Sequence, residues 1–276
     1  MGATSNNSTL NVTYDEIQYV ITLTTFSIGF PLILLAIYAM YFLIRADHMA
    51  PIYVINLLIA DFIQISVRLI VLFDLWGIVG NLIEFFGISA SISFMVCIAL
   101  ERYIVIAFPL WYRFRRNIKY SLIVSSIVWV FPFIQIVLFW AFSSVSFILF
   151  AVMLLIPFPL LVFFLVSTLK ALSVSISVPA VEQKRIIGTL GLVLGNYTLL
   201  FLPLTIQYLI SGISGTENVY IGTILEGFSP LVDPLLYVFM RKGAKDTLLA
   251  FPCFDKLMGE QEQSQVTNMT DIEGSG

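Results

Sequence analysis

Seven long apolar segments follow one another along the chain, and short polar stretches separate them. A helix that crosses a bilayer needs about 20 mostly apolar residues, and each segment is long enough. Because hydrocarbon offers the backbone no hydrogen-bonding partners, such segments fold as helices. The sequence therefore predicts an all-α fold, a bundle of seven transmembrane helices over residues 17–241. The predicted spans are residues 17–44, 50–75, 79–107, 118–141, 145–173, 186–212 and 218–241.

The composition excludes several classes of protein. Hydrophobic residues make up 59% of the chain and charged residues 11%, against about 45–50% and about 25% in soluble domains. The net charge of -3 leaves no basic surface for a nucleic acid. One histidine and two cysteines cannot supply the ligands of a zinc cluster. The sequence also lacks HExxH and GxSxG motifs, which argues against an enzyme.

The boundary between the fourth and fifth spans is the least distinct. Only residues 141–144 are available there to turn the chain. Without a turn, residues 118–173 would form one helix and the protein would have six spans. That helix would be about twice as long as a bilayer is thick, so the sequence favours seven spans.

The distribution of positive charge predicts the orientation in the membrane. Of the 14 Lys and Arg residues, 13 lie on one side of the predicted spans, and the exception, Arg68, lies within the second span. Cytoplasmic loops carry an excess of basic residues. We therefore expect an extracellular N-terminus and a cytoplasmic C-terminus.

Both ends of the chain carry predicted modification sites. Residues 1–16 form a polar tail, in which Asn6, Asn7 and Asn11 each begin an Asn-x-Ser/Thr sequence. On an extracellular tail these are predicted glycosylation sites, although such sequences also arise by chance where Asn, Ser and Thr are abundant.

The C-terminal part of the chain is predicted to meet the inner membrane surface. Residues 242–254 combine lysines with apolar side chains, a pattern typical of a short amphipathic surface helix. Cys253 is a predicted palmitoylation site, with an unmodified thiol as the alternative. Residues 255–276 are polar and are expected to be a disordered cytoplasmic tail.

Polar residues recur at intervals of seven within three of the spans. Seven residues return a side chain to about the same helix face and advance it by about 10 Å. Because ionisable side chains avoid lipid, these faces must point into the bundle. The predicted middle layer contains Asp61, Ser91 and Asp233, and the predicted outer layer contains Arg68, Glu84 and Glu226.

The middle layer would place two carboxyl groups beside a hydroxyl. Two neighbouring carboxylates cannot both stay ionised cheaply. Either a cation lies between Asp61 and Asp233, for which sodium with oxygen ligands fits, or the two form a neutral hydrogen-bonded pair with ordered water. A sodium ion is the only cofactor that the sequence suggests.

The outer layer would combine one positive charge with two negative charges. One interpretation is a structural ion pair between Arg68 and either Glu84 or Glu226. The other is a ligand site in which the surplus carboxylate binds a cationic group or a proton. In that case Thr205 and Tyr208 on the sixth span are candidate lining residues.

Short motifs lie at particular places in the spans. Residues 56–61 read NLLIAD, Glu101–Tyr103 read ERY, Trp129 lies in the fourth span, and residues 233–237 read DPLLY. Together they resemble the motifs of rhodopsin-like (class A) G-protein-coupled receptors, over residues 17–254. The DPLLY form is similar to that of the branch with nucleotide, lysolipid and proton-sensing receptors.

The resemblance implies roles for these residues. Arg102 would pair with Glu101 at rest and contact a heterotrimeric G protein when the sixth span moves. The middle layer matches the family's sodium site, and Glu84 matches the position at which amine receptors hold a carboxylate. The residues implied in G-protein coupling and activation are Glu101, Arg102, Tyr103, Pro109, Leu110, Phe201, Pro203, Pro234 and Tyr237.

Several positions depart from the family pattern. Phe201 stands where a Trp is usual, and Tyr197 stands where a Phe is usual. Ile33 replaces the usual Asn of the first span, and Gly77 replaces the Cys of the outer disulfide. A receptor-like protein that does not signal is therefore one alternative.

The sequence thus predicts a plasma-membrane receptor that transmits binding of an unidentified small or lipid-like extracellular ligand to a heterotrimeric G protein. Membrane lipids are further expected partners, and nucleic acid is not. A transporter or channel is the other alternative, since charges within a membrane also mark transport pathways. Transporters commonly contain internal repeats, and the chain shows no self-similar halves.

Overall fold

The computed structural model describes residues 2–45, 52–73, 77–110, 118–141, 146–174, 179–215 and 220–236. The side chains of residues 2–15, and so of the three predicted glycosylation sites, lie outside this description. Tyr237, the predicted surface helix with Cys253, and the C-terminal tail also lie outside the described residues. The roles assigned to these residues stay predictions.

The described part of the chain is built from helices and the short segments that join them, without a strand. The α-helices of the described ranges are numbered α1 to α10 in chain order. Their bounds are Gly2–Arg45 (α1), Ile52–Leu72 (α2), Gly77–Ala107 (α3), Ile118–Ala141 (α4), Ser146–Leu155 (α5), Pro157–Val174 (α6), Ala180–Asn196 (α7), Leu202–Ser214 (α8), Tyr220–Glu226 (α9) and Ser229–Val232 (α10).

Six helical stretches in the described ranges are long and apolar enough to cross a membrane. A seventh, Ile221–Val232, is apolar but shorter. The prediction of an all-α, seven-helix bundle is therefore confirmed. The six long stretches are Glu16–Tyr41, Ile52–Leu72, Gly77–Ala107, Ile118–Ala141, Phe147–Ser173 and Val181–Ser214.

The chain reverses between the fourth and fifth spans. The ring centroids of Phe139 in α4 and Phe147 in α5 are 6.3 Å apart. In one continuous helix, residues eight apart would be separated by about 12 Å along the axis. The alternative with six spans, which requires a continuous helix through this region, is therefore wrong.

The first span differs most from its predicted bounds, the sixth begins earlier, at Ala180, and the seventh is interrupted. Helix α1 begins at Gly2 rather than near residue 17, because residues 3–28 contain neither the glycine nor the proline that would end a helix. The seventh span is divided at residues 227–228. Pro230 has no N–H to continue the ladder of hydrogen bonds across that point.

The fifth and sixth spans are both irregular at the same depth. A turn at Ile156 separates α5 from α6, where Pro157 and Pro159 remove two backbone donors. The sixth span passes through a π-helical turn, Tyr197–Phe201, between α7 and α8. The Tyr197 hydroxyl donates to the Leu154 carbonyl, so the two irregular segments are joined directly.

The second and third spans approach each other closely at Gly87. A Cβ added to Gly87 would lie 2.4 Å from Gln64 Cγ, so only glycine allows this packing. The contact brings the polar face of α2 against the polar face of α3. By contrast, α4 is mostly exposed, and Ile127, Val130 and Val137 on its outer surface face the surroundings of the bundle.

Candidate functional site

Arg68 lies at the centre of the predicted outer layer. Its Nε and Nη2 donate to Glu84 Oε1 over 2.9 Å and 2.7 Å. Nη2 also donates to Glu226 Oε2. The structure therefore brings spans two, three and seven together through one guanidinium group that contacts both carboxylates, in place of the single pairing that the sequence suggested.

The three charged groups of the outer layer differ in access. The side chains of Arg68 and Glu226 are 4% and 0% exposed, whereas that of Glu84 is 17% exposed. Arg68 Nη1 and Glu226 Oε1 have no hydrogen-bonding partner among the described residues. With both carboxylates ionised the cluster has one net negative charge, and Glu84 is the member that a ligand could reach.

The two residues expected to line the outer layer make contacts inside the bundle. Thr205 Oγ1 donates to the Phe201 carbonyl in its own span over 2.9 Å. Tyr208 is buried, and its ring packs edge-on against Phe150, with centroids 5.2 Å apart, and against Phe85 at 5.9 Å. Aromatic side chains thus fill the space beside the charged cluster.

The middle layer begins with three side chains on α2 and α3. Ser91 Oγ donates to Asp61 Oδ1 over 2.8 Å. Gln64 Nε2 donates in turn to Ser91 Oγ over 2.7 Å. All three residues are buried, so this chain of hydrogen bonds is shielded from both water and lipid.

The sixth and seventh spans complete the middle layer. Asp233 accepts hydrogen bonds from Asn196 Nδ2 over 2.6 Å and from Ser229 Oγ over 3.0 Å. Asp61 and Asp233 are both fully buried and lie near enough to interact electrostatically. The structure therefore brings together all three residues that the sequence assigned to this layer.

Unpaired oxygen atoms are concentrated in the middle layer. Asp61 Oδ2, Gln64 Oε1 and Asn196 Oδ1 are buried and receive no hydrogen bond from the described residues. Two carboxyl groups in contact require a proton or a cation between them. Hard cations take carboxylate, amide and hydroxyl oxygens as ligands, so the side chains present fit a sodium ion.

The composition of the middle layer limits how a cation could be held. The described residues contain no group of three His, Cys, Asp or Glu side chains placed to hold a metal ion. Asp61 and Asp233 supply two carboxyl groups, and amide or hydroxyl oxygens would have to complete the coordination. Such a donor set suits a monovalent cation better than a transition metal, which prefers nitrogen and sulfur ligands.

The inner end of the third span carries the predicted coupling residues. Arg102 Nη2 lies 3.5 Å from Glu101 Oε2, and Arg102 Nε has no partner among the described residues. Tyr103 packs on Phe164, with ring centroids 5.7 Å apart. Pro109 and Leu110 are exposed at the end of this segment.

The predicted hinge residues lie in the bundle interior. Phe201 is fully buried, and its ring stacks against Tyr197 with centroids 6.3 Å apart. Pro203 lies in the first turn of α8, directly after the π-helical turn. Pro234 is buried beyond the divided part of the seventh span.

Sequence reasoning missed three members of the middle layer, namely Gln64, Asn196 and Ser229. Gln64 lies three residues after Asp61, on the same polar face, so the spacing rule could have found it. Ser229 lies four residues before Asp233 and satisfies the same rule. Asn196 lies eleven residues before Gln207, another amide of the sixth span, and a polar amide within a membrane span was itself a signal of a functional position.

Comparison with known proteins gives partial relatives of this chain. No protein-family model matches the chain. It is 27% identical to human "G-protein coupled receptor 68" over 142 residues, which cover 46% of this chain and 39% of the relative. The bovine protein of the same name is 28% identical over 133 residues, covering 44% of this chain and 36% of the relative.

A second kind of receptor matches a shorter stretch. Human "Mas-related G-protein coupled receptor member X1" is 30% identical over 96 residues, covering 32% of this chain and 30% of the relative. The chain therefore spans well under half the length of the relatives that it matches. These similarities agree with the motifs and the helical bundle: the chain is a multi-pass membrane protein that resembles G-protein-coupled receptors over part of its length.

Proposed function

We propose that this protein is a plasma-membrane receptor that transmits binding of an unidentified small or lipid-like extracellular ligand to a heterotrimeric G protein. Its N-terminus is extracellular and its C-terminus cytoplasmic. The relatives are named as G-protein coupled receptors, which supports the class of activity. The sites proposed below for the ligand and for the G protein are inferred from this chain's own residues.

One observation carries the proposal: buried polar side chains join four spans at two depths. In the outer layer, Arg68 on the second span donates hydrogen bonds to Glu84 on the third span and Glu226 on the seventh. About 10 Å further in, Asp61 accepts a hydrogen bond from Ser91 on the third span, and Asp233 on the seventh span accepts one from Asn196 on the sixth. A change of contacts at the outer layer can therefore shift the relative stability of two arrangements of the whole bundle.

Arg102 is the proposed contact with the G protein. Its 3.5 Å contact with Glu101 is longer than a strong charge-assisted hydrogen bond, which is about 2.8 Å. Such a contact is weak enough to break when span six moves. The guanidinium would then be free to hydrogen-bond to a backbone carbonyl of the G protein, while Pro109 and Leu110 dock beside it.

The outer layer is the proposed ligand site. One net negative charge favours a ligand with a cationic group, and Glu84 is the accessible carboxylate. Arg68 would hold Glu84 in place and keep Glu226 buried. Tyr208 and Thr205 would face the apolar part of the ligand once the aromatic side chains beside them rearrange.

The middle layer is the proposed sodium site, formed by Asp61, Ser91 and Asp233 with oxygens of Asn196 and Gln64. A cation there would neutralise the two carboxyl groups and hold spans two, three, six and seven in one arrangement. Its release would lower the stability of that arrangement relative to an active one. The alternative for the same contact is a shared proton with ordered water.

The direct test is nucleotide exchange on G proteins by full-length protein in nanodiscs. The wild type is assayed against a panel of Gα subunits, without ligand and with a ligand library. We expect exchange on at least one Gα, and Arg102→Ala should reduce it at least tenfold. Lys170→Ala, which removes an exposed positive charge on the same side, is the control and should keep most of the activity.

The outcomes of this assay separate the alternatives. Equal exchange by the wild type and Arg102→Ala would remove the role of Arg102. No exchange on any Gα, by protein that is folded and expressed, would favour a receptor-like protein that does not signal. Ion flux through the same nanodisc protein reconstituted in vesicles would instead indicate a channel or transporter.

A further inference from the structure

A narrow cleft opens where the third, fourth and fifth spans meet. It consists of two adjoining cavities, each of about 10 Å³, and both are lined by Gln135, Phe139 and Phe150. Phe85 closes one cavity and Leu138 the other. The walls are therefore apolar and largely aromatic, and Gln135 is the polar side chain that the two cavities share.

Gln135 is an unusual residue for this position. Its side chain is 7% exposed and lies on α4, whose neighbouring residues Phe133, Ile134 and Val137 are apolar and exposed. An amide in an apolar environment costs free energy unless its polar atoms are paired. A glutamine at the wall of such a cleft therefore needs partners for its oxygen and for its nitrogen.

Within the described residues, a partner is present for the amide oxygen of Gln135 but not for its nitrogen. The Ser89 hydroxyl donates to Gln135 Oε1, which satisfies the amide oxygen and fixes the orientation of the amide. Across the described part of the chain, the hydrogen bond of the Gln135 side chain is to its oxygen, so Nε2 has no acceptor there, and Gln135 lines both cavities. The cleft thus presents a hydrogen-bond donor that is held in place by its own oxygen.

The depth of Gln135 indicates which molecules can reach it. Helix α4 has 24 residues and is about 36 Å long. The hydrocarbon layer is about 30 Å thick, so the helix extends about 3 Å beyond it at each end. Gln135 is six residues from the end at Ala141, or about 9 Å. Its amide therefore lies roughly 6 Å inside the hydrocarbon, where lipids are the molecules available.

We propose that this cleft binds a neutral membrane lipid, which places a hydroxyl or carbonyl oxygen on Gln135 Nε2. A cavity of about 10 Å³ admits a group about the size of one water molecule. That size fits a single oxygen and excludes a phosphate headgroup. The apolar body of the lipid lies outside the cavity, along the exposed side chains of α4.

The cleft is connected to the proposed ligand site through aromatic packing. Phe150 and Phe85 line the cleft, and both also pack against Tyr208 on the sixth span. A bound lipid would therefore contact two rings that also contact Tyr208. The proposal itself concerns binding alone and does not depend on G-protein coupling.

Photolabelling of the full-length protein in phosphatidylcholine nanodiscs tests the proposal. One arm uses a photoreactive cholesterol analogue and the other a photoreactive monoacylglycerol, and labelled peptides are mapped by mass spectrometry. We expect labelling near residues 135–150 in one arm, which identifies the lipid source. Gln135→Leu should reduce labelling about three- to tenfold, as for the loss of one neutral hydrogen bond.

Two variants and a competition series make the result specific. Ser126→Ala also removes a polar group from α4, but the Ser126 hydroxyl bonds within its own helix, so labelling should be unchanged. Leu138→Trp should fill the cleft and abolish labelling without touching the amide. Thermal melting of each variant shows that it is folded.

The competition series tests the acceptor oxygen. In the cholesterol arm, a 3-keto sterol keeps an acceptor and should compete, whereas cholestane, which has no oxygen, should not. In the monoacylglycerol arm, the acyl methyl ester should compete and the corresponding alkane should not. Equal labelling of folded Gln135→Leu, equal competition by the oxygen-free compounds, or labelling mapped elsewhere in both arms would overturn the proposal.

Discussion

The outer and middle polar layers use similar residues but balance their charge differently. In the outer layer, the guanidinium of Arg68 contacts both Glu84 and Glu226. In the middle layer, Asp61 and Asp233 are buried near each other, and their hydrogen bonds come from amides and hydroxyls. The outer layer therefore carries its own counter-charge, and the middle layer has to obtain a cation or a proton from outside.

This difference suggests that the two layers have different functions. A cluster with an internal counter-ion is stable across solution conditions, and a ligand must compete with contacts that already exist. A pair of carboxyl groups without one responds to the cation or proton concentration around it. The outer layer suits selective ligand binding, and the middle layer suits regulation by a small ion.

The largest expected effect is loss of the internal counter-charge by Arg68→Gln. Two carboxylates would remain in the bilayer interior without a positive charge, and removing one partner of a buried ion pair costs about 3–5 kcal/mol. Thermal melting by fluorescence-detected chromatography should show a large drop. Adding Glu84→Gln and Glu226→Gln should restore most of the stability.

The control for Arg68→Gln is Lys170→Gln, which removes an exposed positive charge. Its melting temperature should match that of the wild type, because exposed charges contribute little to stability. If Arg68→Gln were no more destabilising than this control, the outer layer would not depend on its own arginine, and the contrast between the layers would be lost.

The next effect in size is stabilisation of the middle layer by sodium. Melting should be compared in sodium and in choline chloride at equal ionic strength. A ligand at about 100 times its dissociation constant stabilises by about 2.7 kcal/mol, and we expect a shift of that order in the wild type. Asp61→Asn should abolish it, and a sodium-dependent ligand affinity should become independent of sodium.

Glu84→Gln is the matched control for that experiment, because it removes a carboxylate from the other layer. Its melting should keep the dependence on sodium. Identical melting of the wild type in sodium and in choline would favour the neutral carboxyl pair with ordered water, and would leave the middle layer without a metal ion.

A smaller effect is expected when Glu84→Gln is tested for ligand binding. Loss of a charged hydrogen bond should weaken a cationic agonist by about 1–3 kcal/mol, which is roughly five- to 150-fold in dissociation constant. A neutral agonist should be affected less. An unchanged dose–response curve for cationic agonists would indicate that the outer layer is only a structural ion pair.

The regular parts of this fold were predictable because they depend on local properties. Apolar length marks a span, and a spacing of seven marks one helix face, so both layers followed from positions such as Asp61 and Arg68 alone. The rotation of each helix in the bundle then had little freedom, since every ionisable side chain had to avoid lipid.

The irregular parts were harder to predict because they depend on contacts between spans. The π-helical turn at Tyr197 adds about one residue to that turn of the sixth span. Asn196, which precedes the turn, therefore lies on a different face relative to the residues that follow it than in a regular α-helix. No periodic pattern contains that information. The division of the seventh span at Gly227 had a local signal in Pro230, but the length of the apolar segment concealed it.

The smallest predicted effect concerns how firmly the sixth span is held beside the middle layer. Tyr197→Phe removes the hydroxyl that donates to the Leu154 carbonyl and keeps the stacking on Phe158. The loss should be about 1 kcal/mol and should raise ligand-free nucleotide exchange several-fold, because the sixth span is released from the turn in the fifth. Tyr19→Phe, an exposed tyrosine, should leave exchange unchanged. Equal ligand-free exchange by both variants would mean that Asn196 and its bond to Asp233 hold the sixth span without help from Tyr197.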